Sequence, residues 1–386
     1  MEPLFHIREQ LGAWQVDGDH REGRVRFKLF FPAGFDPQIQ AICVAGDFQA
    51  QLGGTAWDFA GGLEMARSER TEGAFWSCVT DERLPAGFYE YKYLVTFVNG
   101  ESRIVSDPCT RYGGTVNRNA AIVVGGSRPQ ENVVVRLAER KHLRDLVVYE
   151  MHLDDFTSEF RGIRAPLDAV RDKLDYLVSL GINAVLFMPW TAWKHREFDW
   201  GYEPFQYFAV EYRYANDLNH PEEKISWLKK LVSACHERGI HVILDGVFNH
   251  VSLEFPYKFF YLNPDDCPYA GTFAGEFSGL QDLDFENQCT QDFIRDVCLY
   301  WIDTFQIDGI RFDNTINFHR DSDEKGIPQL LLDIQSFLDQ RGEMNFSMTL
   351  EHLNLSAARI TNDTRATSYW DNALYECCFN SLWWGR

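Results

Sequence analysis

The chain has 386 residues, a length that allows two or three domains. Its net charge of −20 and its pI near 4.9 argue against a nucleic-acid partner and favour a neutral substrate. Hydrophobic residues make up 45% of the chain, an ordinary globular share, and no stretch is long and apolar enough to predict a transmembrane span.

Cysteine usage and the first residues bear on the compartment. The nine cysteines are scattered, without CxxC spacing, which favours reduced thiols over a disulfide framework. Residues 1–24 contain no apolar run typical of a signal peptide. We therefore expect a cytoplasmic protein that has no membrane partner.

The first part of the chain, residues 1–125, is predicted to be a β-sandwich. Short runs of apolar and aromatic residues alternate with Gly, Pro and Asn turns, which is typical of antiparallel strands. The runs include Val25–Phe31, Ala41–Phe48, Phe75–Val79, Phe88–Val95 and Ser102–Val105. Several short strands at this spacing favour two packed sheets. Residues 126–143 are interpreted as a linker.

From residue 144 onwards the pattern changes to alternating strands and helices. Predicted strands are Val147–Leu153, Asn183–Met188, His241–Asp245, Gly309–Asp313 and Phe346–Glu351, and predicted helices are Leu167–Leu180, Pro221–Gly239, Thr290–Phe305 and Ile327–Arg341. Repeated strand–helix units with apolar strands predict a parallel β/α barrel over residues 144–386. About six of the eight strands of a (β/α)8 TIM barrel are recognisable, so we expect a barrel that is incomplete at the C-terminus.

Three successive predicted strands end in acidic residues: Asp245, Asp313 and Glu351. In a β/α barrel the chemistry lies at the C-terminal ends of the strands. Arg311 and Asp313 are two residues apart, so both point to the same side of their strand and form a pair. A single Arg–Asp pair is often structural, but carboxylates in series on one rim favour an active site.

The motifs around these residues resemble glycoside hydrolase family 13, the α-amylase family. The segments are VYEMHLDDFT, DWGYEPFQYFAVEYRYA, DGVFNH, GIRFDNTIN and, more loosely, TLEHLN, in the order of that family. The N-terminal run from VRFKLFFPAG to SDP resembles the immunoglobulin-like module of isoamylases and branching enzymes, which is related to carbohydrate-binding module family 48. The resemblance implies an α-glucan or maltooligosaccharide substrate.

This resemblance also implies roles for individual residues. Asp313 would be the nucleophile, and Glu351 the general acid and base. The implied substrate-binding group comprises Arg311, His250, Tyr202, Asp245 and His352, with Asp245 supporting Arg311 and Tyr202 stacking on the sugar. No cofactor is required, although Asn249 matches a calcium ligand of some relatives.

One family feature has no counterpart in the sequence: no Asn-His-Asp motif, which carries the third catalytic carboxylate, follows Glu351. We therefore expect the chain as given to be a fragment with little or no activity. The favoured function is a retaining hydrolase or transglycosylase that cleaves α-1,4 or α-1,6 glucosidic bonds. The alternative is a non-catalytic glycan-binding protein on the same scaffold, and a barrel acting on phosphorylated substrates is disfavoured, since no phosphate-binding loop is present.

Overall fold

The computed structural model describes residues 5–114, 118–126, 133–194, 199–214, 223–275, 279–321 and 323–384. The N-terminal region is rich in strands, as predicted. After the short helix α1 (Phe5–Arg8), its strands are Gly12–Gln15 (β1), Glu22–Gly23 (β2), Val25–Pro32 (β3), Ile39–Gly46 (β4), Leu63–Glu64 (β5), Ala66–Arg70 (β6), Gly73–Val79 (β7), Leu84–Pro85 (β8), Gly87–Phe97 (β9), Ser102–Val105 (β10), Tyr112–Gly113 (β11) and Ala120–Val124 (β12).

Two sheets form this region and share one core. One sheet has the order β1-β3-β7-β6, and the other contains β11-β12-β9-β4-β5, with β10 paired to β9. Phe27 on β3 and Tyr91 on β9 pack across the gap with ring centroids 4.9 Å apart. Both side chains are fully buried, so aromatic rings supply much of the contact between the sheets.

The second part contains a parallel sheet in the order β13-β14-β17-β21-β22-β23, with every pairing parallel. Its strands are Val148–Met151 (β13), Ala184–Phe187 (β14), His241–Gly246 (β17), Gly309–Phe312 (β21), Ser347–Leu350 (β22) and Ser368–Tyr369 (β23). The remaining strands are Thr191–Trp193 (β15), Pro204–Val210 (β16), His250–Val251 (β18), Ala270–Gly271 (β19) and Gln281–Leu283 (β20). Strand order along the chain is therefore preserved in the sheet, as consecutive β/α units require.

Helices connect these strands. They are Leu153–Phe156 (α2), Pro166–Ala169 (α3), Leu174–Ser179 (α4), Lys224–Glu237 (α5), Gln288–Phe305 (α6), Ile327–Gln340 (α7), Ala357–Asp363 (α8) and Asn372–Trp384 (α9). The prediction of one continuous helix over 167–180 is wrong in detail, because a 3-10 segment, Val170–Lys173, separates α3 from α4. The apolar residues at helical spacing, Leu167, Val170, Leu174 and Leu177, are still fully buried, so the pattern located the packed face correctly.

The parallel sheet is curled. Trp370, directly after the last strand, packs against a cluster of Ala184, Leu186 and Ile243 on β14 and β17, near the other edge of the sheet. A flat sheet would keep these strands several spacings of about 4.8 Å apart. The described residues supply six parallel strands, and closure into an eight-stranded barrel stays a prediction.

The strand-rich region and the part of the chain that contains the curled sheet are also joined by non-covalent contacts. Strands β15 and β16 join the larger N-terminal sheet, where Tyr112 of β11 pairs in parallel with Val210 of β16. His6 of α1 also lies 2.8 Å from Asp296 of α6, both buried. The predicted boundaries at 125 and 143 stay predictions. All nine cysteines are free thiols, and within the described ranges no helix combines the length and apolarity that crossing a membrane requires.

Candidate active site

The strand register brings the predicted carboxylates to one rim. In the β17–β21 pairing Asp245 stands opposite Arg311, and in the β21–β22 pairing Phe312 stands opposite Leu350. Asp313 directly follows Phe312, and Glu351 directly follows Leu350. The backbone N–H of Glu351 donates to the carbonyl of Phe312 (3.0 Å), which continues the pairing past the strand ends. The two carboxylates therefore lie level on neighbouring strands.

Arg311 is the shared partner of three carboxylates. Its Nη1 donates to Oδ1 of Asp245 (2.5 Å) and to Oδ1 of Asp313 (2.9 Å). Its Nη2 lies 2.6 Å from Oε2 of Glu351. Although burial opposes its charge, these three carboxylates raise the pKa of Arg311, so the guanidinium stays charged. One positive charge among three acidic groups leaves the site acidic.

Exposure separates the members of this acidic site. The side chains of Asp245 and Arg311 are 0% and 3% exposed, whereas those of Asp313 and Glu351 are 9% and 16% exposed. Burial raises the pKa of Glu351 above its ordinary 4.5; the neighbouring Asp313 carboxylate adds to this, and Arg311 opposes it. The two carboxyl groups that reach solvent are thus the two predicted to be catalytic.

Asp245 and Tyr202 form the inner part of the site. Burial raises the pKa of Asp245 to about 7, although the Arg311 charge opposes this shift. The Tyr202 hydroxyl donates to Oδ2 of Asp245 (2.6 Å), and the Arg311 guanidinium carbon lies 5.9 Å from the Tyr202 ring centroid. Asp245 thus contacts Arg311, and the supporting role that the resemblance implies for it stays a prediction.

His250 and Asn249 are buried beneath this group. The Nε2 of His250 lies 2.7 Å from the carbonyl oxygen of Tyr202, and its Nδ1 is in close contact with Oδ1 of Asn249. The Nδ2 of Asn249 donates to the carbonyl and to the carboxylate of Asp313 (2.8 and 2.9 Å). Both polar atoms of the Asn249 amide therefore contact other groups of the protein.

A metal centre gains no support elsewhere in the site. Among the residues that the structure describes, no group of three or more His, Cys, Asp or Glu side chains could hold a metal ion. The hypothesis of a bound calcium stays a prediction.

His352 does not join the Arg311 group. Its Nδ1 lies 3.0 Å from the Thr315 hydroxyl and its Nε2 3.1 Å from the Ser356 hydroxyl. Burial, with a contribution from His319, lowers the pKa of His352 to about 4, so the ring is neutral near pH 7. Its predicted contact with substrate stays a prediction.

Two residues of the site were missed in the sequence analysis. The backbone N–H of Asn314 donates to Oε2 of Glu351 (2.8 Å), and Asn314 has a left-handed φ of 39°. Asn tolerates this conformation better than most residues, so its place directly after Asp313 was a usable signal. Trp370 stacks on Arg311, with the guanidinium carbon 4.5 Å from the ring centroid. Only its position after the sixth strand hinted at this contact.

Comparison with known proteins shows what the chain is similar to. Residues 153–264 match the family described as "Alpha amylase, catalytic domain". The pullulanase of Bacillus subtilis is 27% identical over 307 residues, covering 70% of this chain and 41% of the relative. The malto-oligosyltrehalose trehalohydrolase of Saccharolobus solfataricus is 28% identical over 285 residues, covering 72% of this chain and 44% of the relative.

A solved structure supports the same fold. The catalytic module of the glycogen-degrading pneumococcal virulence factor SpuA superposes with a TM-score of 0.71 at 21% identity, over 94% of this chain and 55% of that chain. The chain thus spans less than half the length of the two curated relatives and just over half of this structure. The family resemblance drawn from the motifs is confirmed: residues 153–264 are similar to the catalytic domain of the α-amylase family.

Proposed function

We propose that this site belongs to a retaining glycosidase that acts on α-glucans, cleaving α-1,6 or α-1,4 glucosidic bonds by double displacement. One observation carries the proposal: Asp313 and Glu351, on neighbouring strands, share a single guanidinium and are the most exposed carboxylates bound to it. A retaining mechanism needs two carboxyl groups close together, one as nucleophile and one as acid and base.

Asp313 is the proposed nucleophile. Hydrogen bonds from Arg311 and Asn249 orient its carboxylate for attack on the anomeric carbon. The attack forms a glycosyl–enzyme bond and breaks the bond to the leaving sugar. The acidic surroundings also suit a transition state in which positive charge develops on the sugar ring.

Glu351 is the proposed general acid and base. Its raised pKa keeps a proton available above the pH at which an ordinary glutamate has lost it. It first donates this proton to the departing oxygen and then takes a proton from the molecule that attacks the intermediate. If that molecule is water the reaction is hydrolysis, and if it is a sugar hydroxyl the reaction is transglycosylation.

The substrate class follows from the family and from charge. The matched relatives bear the names pullulanase and malto-oligosyltrehalose trehalohydrolase, and the matched structure is called glycogen-degrading. An uncharged glucan suits a chain with a net charge of −20, since it brings no like charge to an acidic site.

The test compares Asp313→Asn with Asp339→Asn, an exposed residue on α7. Both proteins are assayed for reducing ends released from pullulan, amylose and glycogen. The first change should lower turnover by roughly four orders of magnitude, because the nucleophile is lost, and the second should leave turnover unchanged. Full turnover by Asp313→Asn would exclude this assignment.

A second candidate is a glucan-binding protein without turnover, and one contact favours it. The Nη2 of Arg311 lies 2.6 Å from Glu351, a contact that stabilises the ionised carboxylate and opposes its action as an acid. Calorimetric titration with maltotetraose separates the two functions. Binding with no new reducing ends in the unaltered chain would favour this candidate.

A further inference from the structure

Trp370 crosses the interior of the curled sheet. Its backbone N–H donates to the carbonyl of Leu350 (3.0 Å), which fixes it at the end of β23. Its side chain is partly buried against Ala184, Leu186 and Ile243 on the far strands. The indole therefore reaches from one edge of the sheet towards the other, directly beside the acidic site.

Two aromatic rings lie against the Arg311 guanidinium. The guanidinium carbon is 4.5 Å from the Trp370 ring centroid and 5.9 Å from the Tyr202 ring centroid. The two Nη atoms make the contacts to the carboxylates, whereas the Nε of Arg311 is buried without a hydrogen-bond partner. Because no polar group among the residues that the structure describes holds the Nε edge, stacking on the two rings supplies part of the orientation of this planar group.

We propose that Trp370 is a positioning residue that holds the guanidinium of Arg311 in the orientation where it bridges Asp313 and Glu351. This inference rests on the proposed function for its effect on turnover. Trp370 acts through Arg311: removing the ring frees the guanidinium to rotate and admits water beside the carboxylates. The guanidinium of Arg311 then no longer keeps one fixed orientation relative to the three carboxylates.

Loss of the Trp370 ring should also shift the pH dependence of the rate in a defined direction. Burial is the largest cause of the raised pKa of Glu351, so hydration of the site should lower that pKa. The alkaline limb of the rate profile, which reports deprotonation of the acid, should then move to lower pH. The charged or titratable groups around Glu351 are those of Arg311, Asp313, Asp245, Tyr202 and the adjacent His352.

The experiment uses the full chain with Trp370→Phe, Trp370→Leu and Trp370→Ala, assayed on the α-glucan that the unaltered chain cleaves fastest. The Phe variant keeps a ring and should resemble the original chain. The Leu and Ala variants should lose about tenfold in kcat, with KM changed by less than about threefold, and their alkaline limb should shift downwards. The Leu variant keeps most of the packing, which guards against simple unfolding.

A second readout does not depend on turnover. Selective ¹⁵N-arginine labelling, with Arg311→Lys to assign the signal, should show the Arg311 side-chain resonances displaced by the ring current of Trp370. The displacement should persist in part in the Phe variant and vanish in the Leu variant.

The outcomes are distinguishable. A Leu variant with the kcat and pH profile of the original chain would overturn the inference, and so would an Arg311 signal without displacement. If Asp313→Asn retains turnover, the proposed function fails, and the resonance measurement alone decides the role of Trp370.

Discussion

Strand β21 carries a buried ionic cluster at each end, and the two clusters balance charge in opposite ways. At the N-terminal end one carboxylate, Asp308, is surrounded by donors. Its Oδ1 accepts from Nε of Arg140 (2.8 Å), while its Oδ2 lies 2.8 Å from Nε2 of His236 and accepts from the Val242 N–H (2.9 Å). At the C-terminal end one cation, Arg311, is surrounded by three carboxylates.

This contrast explains why carboxylates and basic side chains stabilise the structure at the N-terminal end of β21 and form the proposed active site at its C-terminal end. Although burial opposes ionisation, hydrogen bonds from His236 and Arg140 lower the pKa of Asp308, which leaves it an inert anion. At the C-terminal end the shortage of positive charge goes with raised pKa values for Asp245 and Glu351. A group that can hold or lose a proton near neutral pH is useful for catalysis, while a saturated carboxylate is not.

The largest expected effect is on catalysis at the C-terminal end. Glu351→Gln removes the proton donor and should lower kcat on glucans by about a hundredfold to ten-thousandfold. Because activity requires the protonated form, the rate of the unaltered chain should fall as pH rises through the raised pKa of Glu351. The variant should lack this alkaline limb.

Maltosyl fluoride sharpens this prediction, since fluoride leaves without needing a proton. Formation of the glycosyl–enzyme from this substrate should therefore be much less affected by Glu351→Gln, as measured in a pre-steady-state burst. The control is Glu376→Gln on the exposed helix α9, which should change neither rate. An alkaline limb that persists in Glu351→Gln would assign the titration to another group.

The next effect is on stability at the N-terminal end. Asp308→Asn removes the buried carboxylate that Arg140 and His236 contact, while Arg140 keeps Glu343 (3.0 Å), so the free energy of unfolding should fall by about 1–3 kcal/mol. Activity per folded molecule should stay nearly unchanged, because this rim carries no chemistry. Asp303→Asn, which breaks an exposed pair with Arg341, is the matched control and should cost less than about 1 kcal/mol.

Acid titration of stability sharpens the same comparison. The folded-state pKa of Asp308 is depressed, so its contribution is present above the ordinary value of 3.8 and is lost as pH falls through the lower folded value. Asp308→Asn should lack this loss in urea unfolding at a series of pH values. Equal acid sensitivity in both proteins would contradict a stabilising role for the Asp308 charge.

The sequence predicted the main members of the site because one rule placed them: parallel strands deliver their C-terminal residues to one rim. Asp245, Arg311, Asp313 and Glu351 all satisfy that rule, and their register confirms it. The family resemblance also implied a substrate-binding role for His352, and that role stays a prediction. The His352 ring contacts Thr315 and Ser356.

What the sequence could not give depends on curvature and on single backbone angles. The contact between Trp370 and Arg311 exists only because the sheet curls far enough for its sixth strand to meet the second and third. The pattern of apolar residues in the sequence does not predict how strongly the sheet curls. The left-handed φ of Asn314 is likewise a local solution that brings its N–H to Glu351.

The smallest expected effects concern left-handed residues at the two ends of β21. Gln306 (φ 56°) precedes the strand, and Asn314 (φ 39°) follows it. Replacement of either residue by glycine relieves backbone strain in the folded state but increases the conformational entropy of the unfolded chain. Because these two effects oppose each other, the free energy of unfolding should change by no more than about 1 kcal/mol. Chemical denaturation should not distinguish the two variants.

Activity should distinguish the two glycine variants, because the side chains of Gln306 and Asn314 make different hydrogen bonds. The Gln306 side chain donates to the nearby carbonyl of Asp303 in helix α6, whereas Nδ2 of Asn314 donates to Oδ1 of Asn317 (2.8 Å), and the Asn317 amide donates to the carbonyl of Gly275. Asn314→Gly breaks this link between the residue after Asp313 and Gly275 and should lower kcat several-fold, while Gln306→Gly should not. Equal turnover by both variants would mean that the backbone N–H of residue 314 alone positions Glu351, and that the difference between the two ends of β21 lies wholly in their charges.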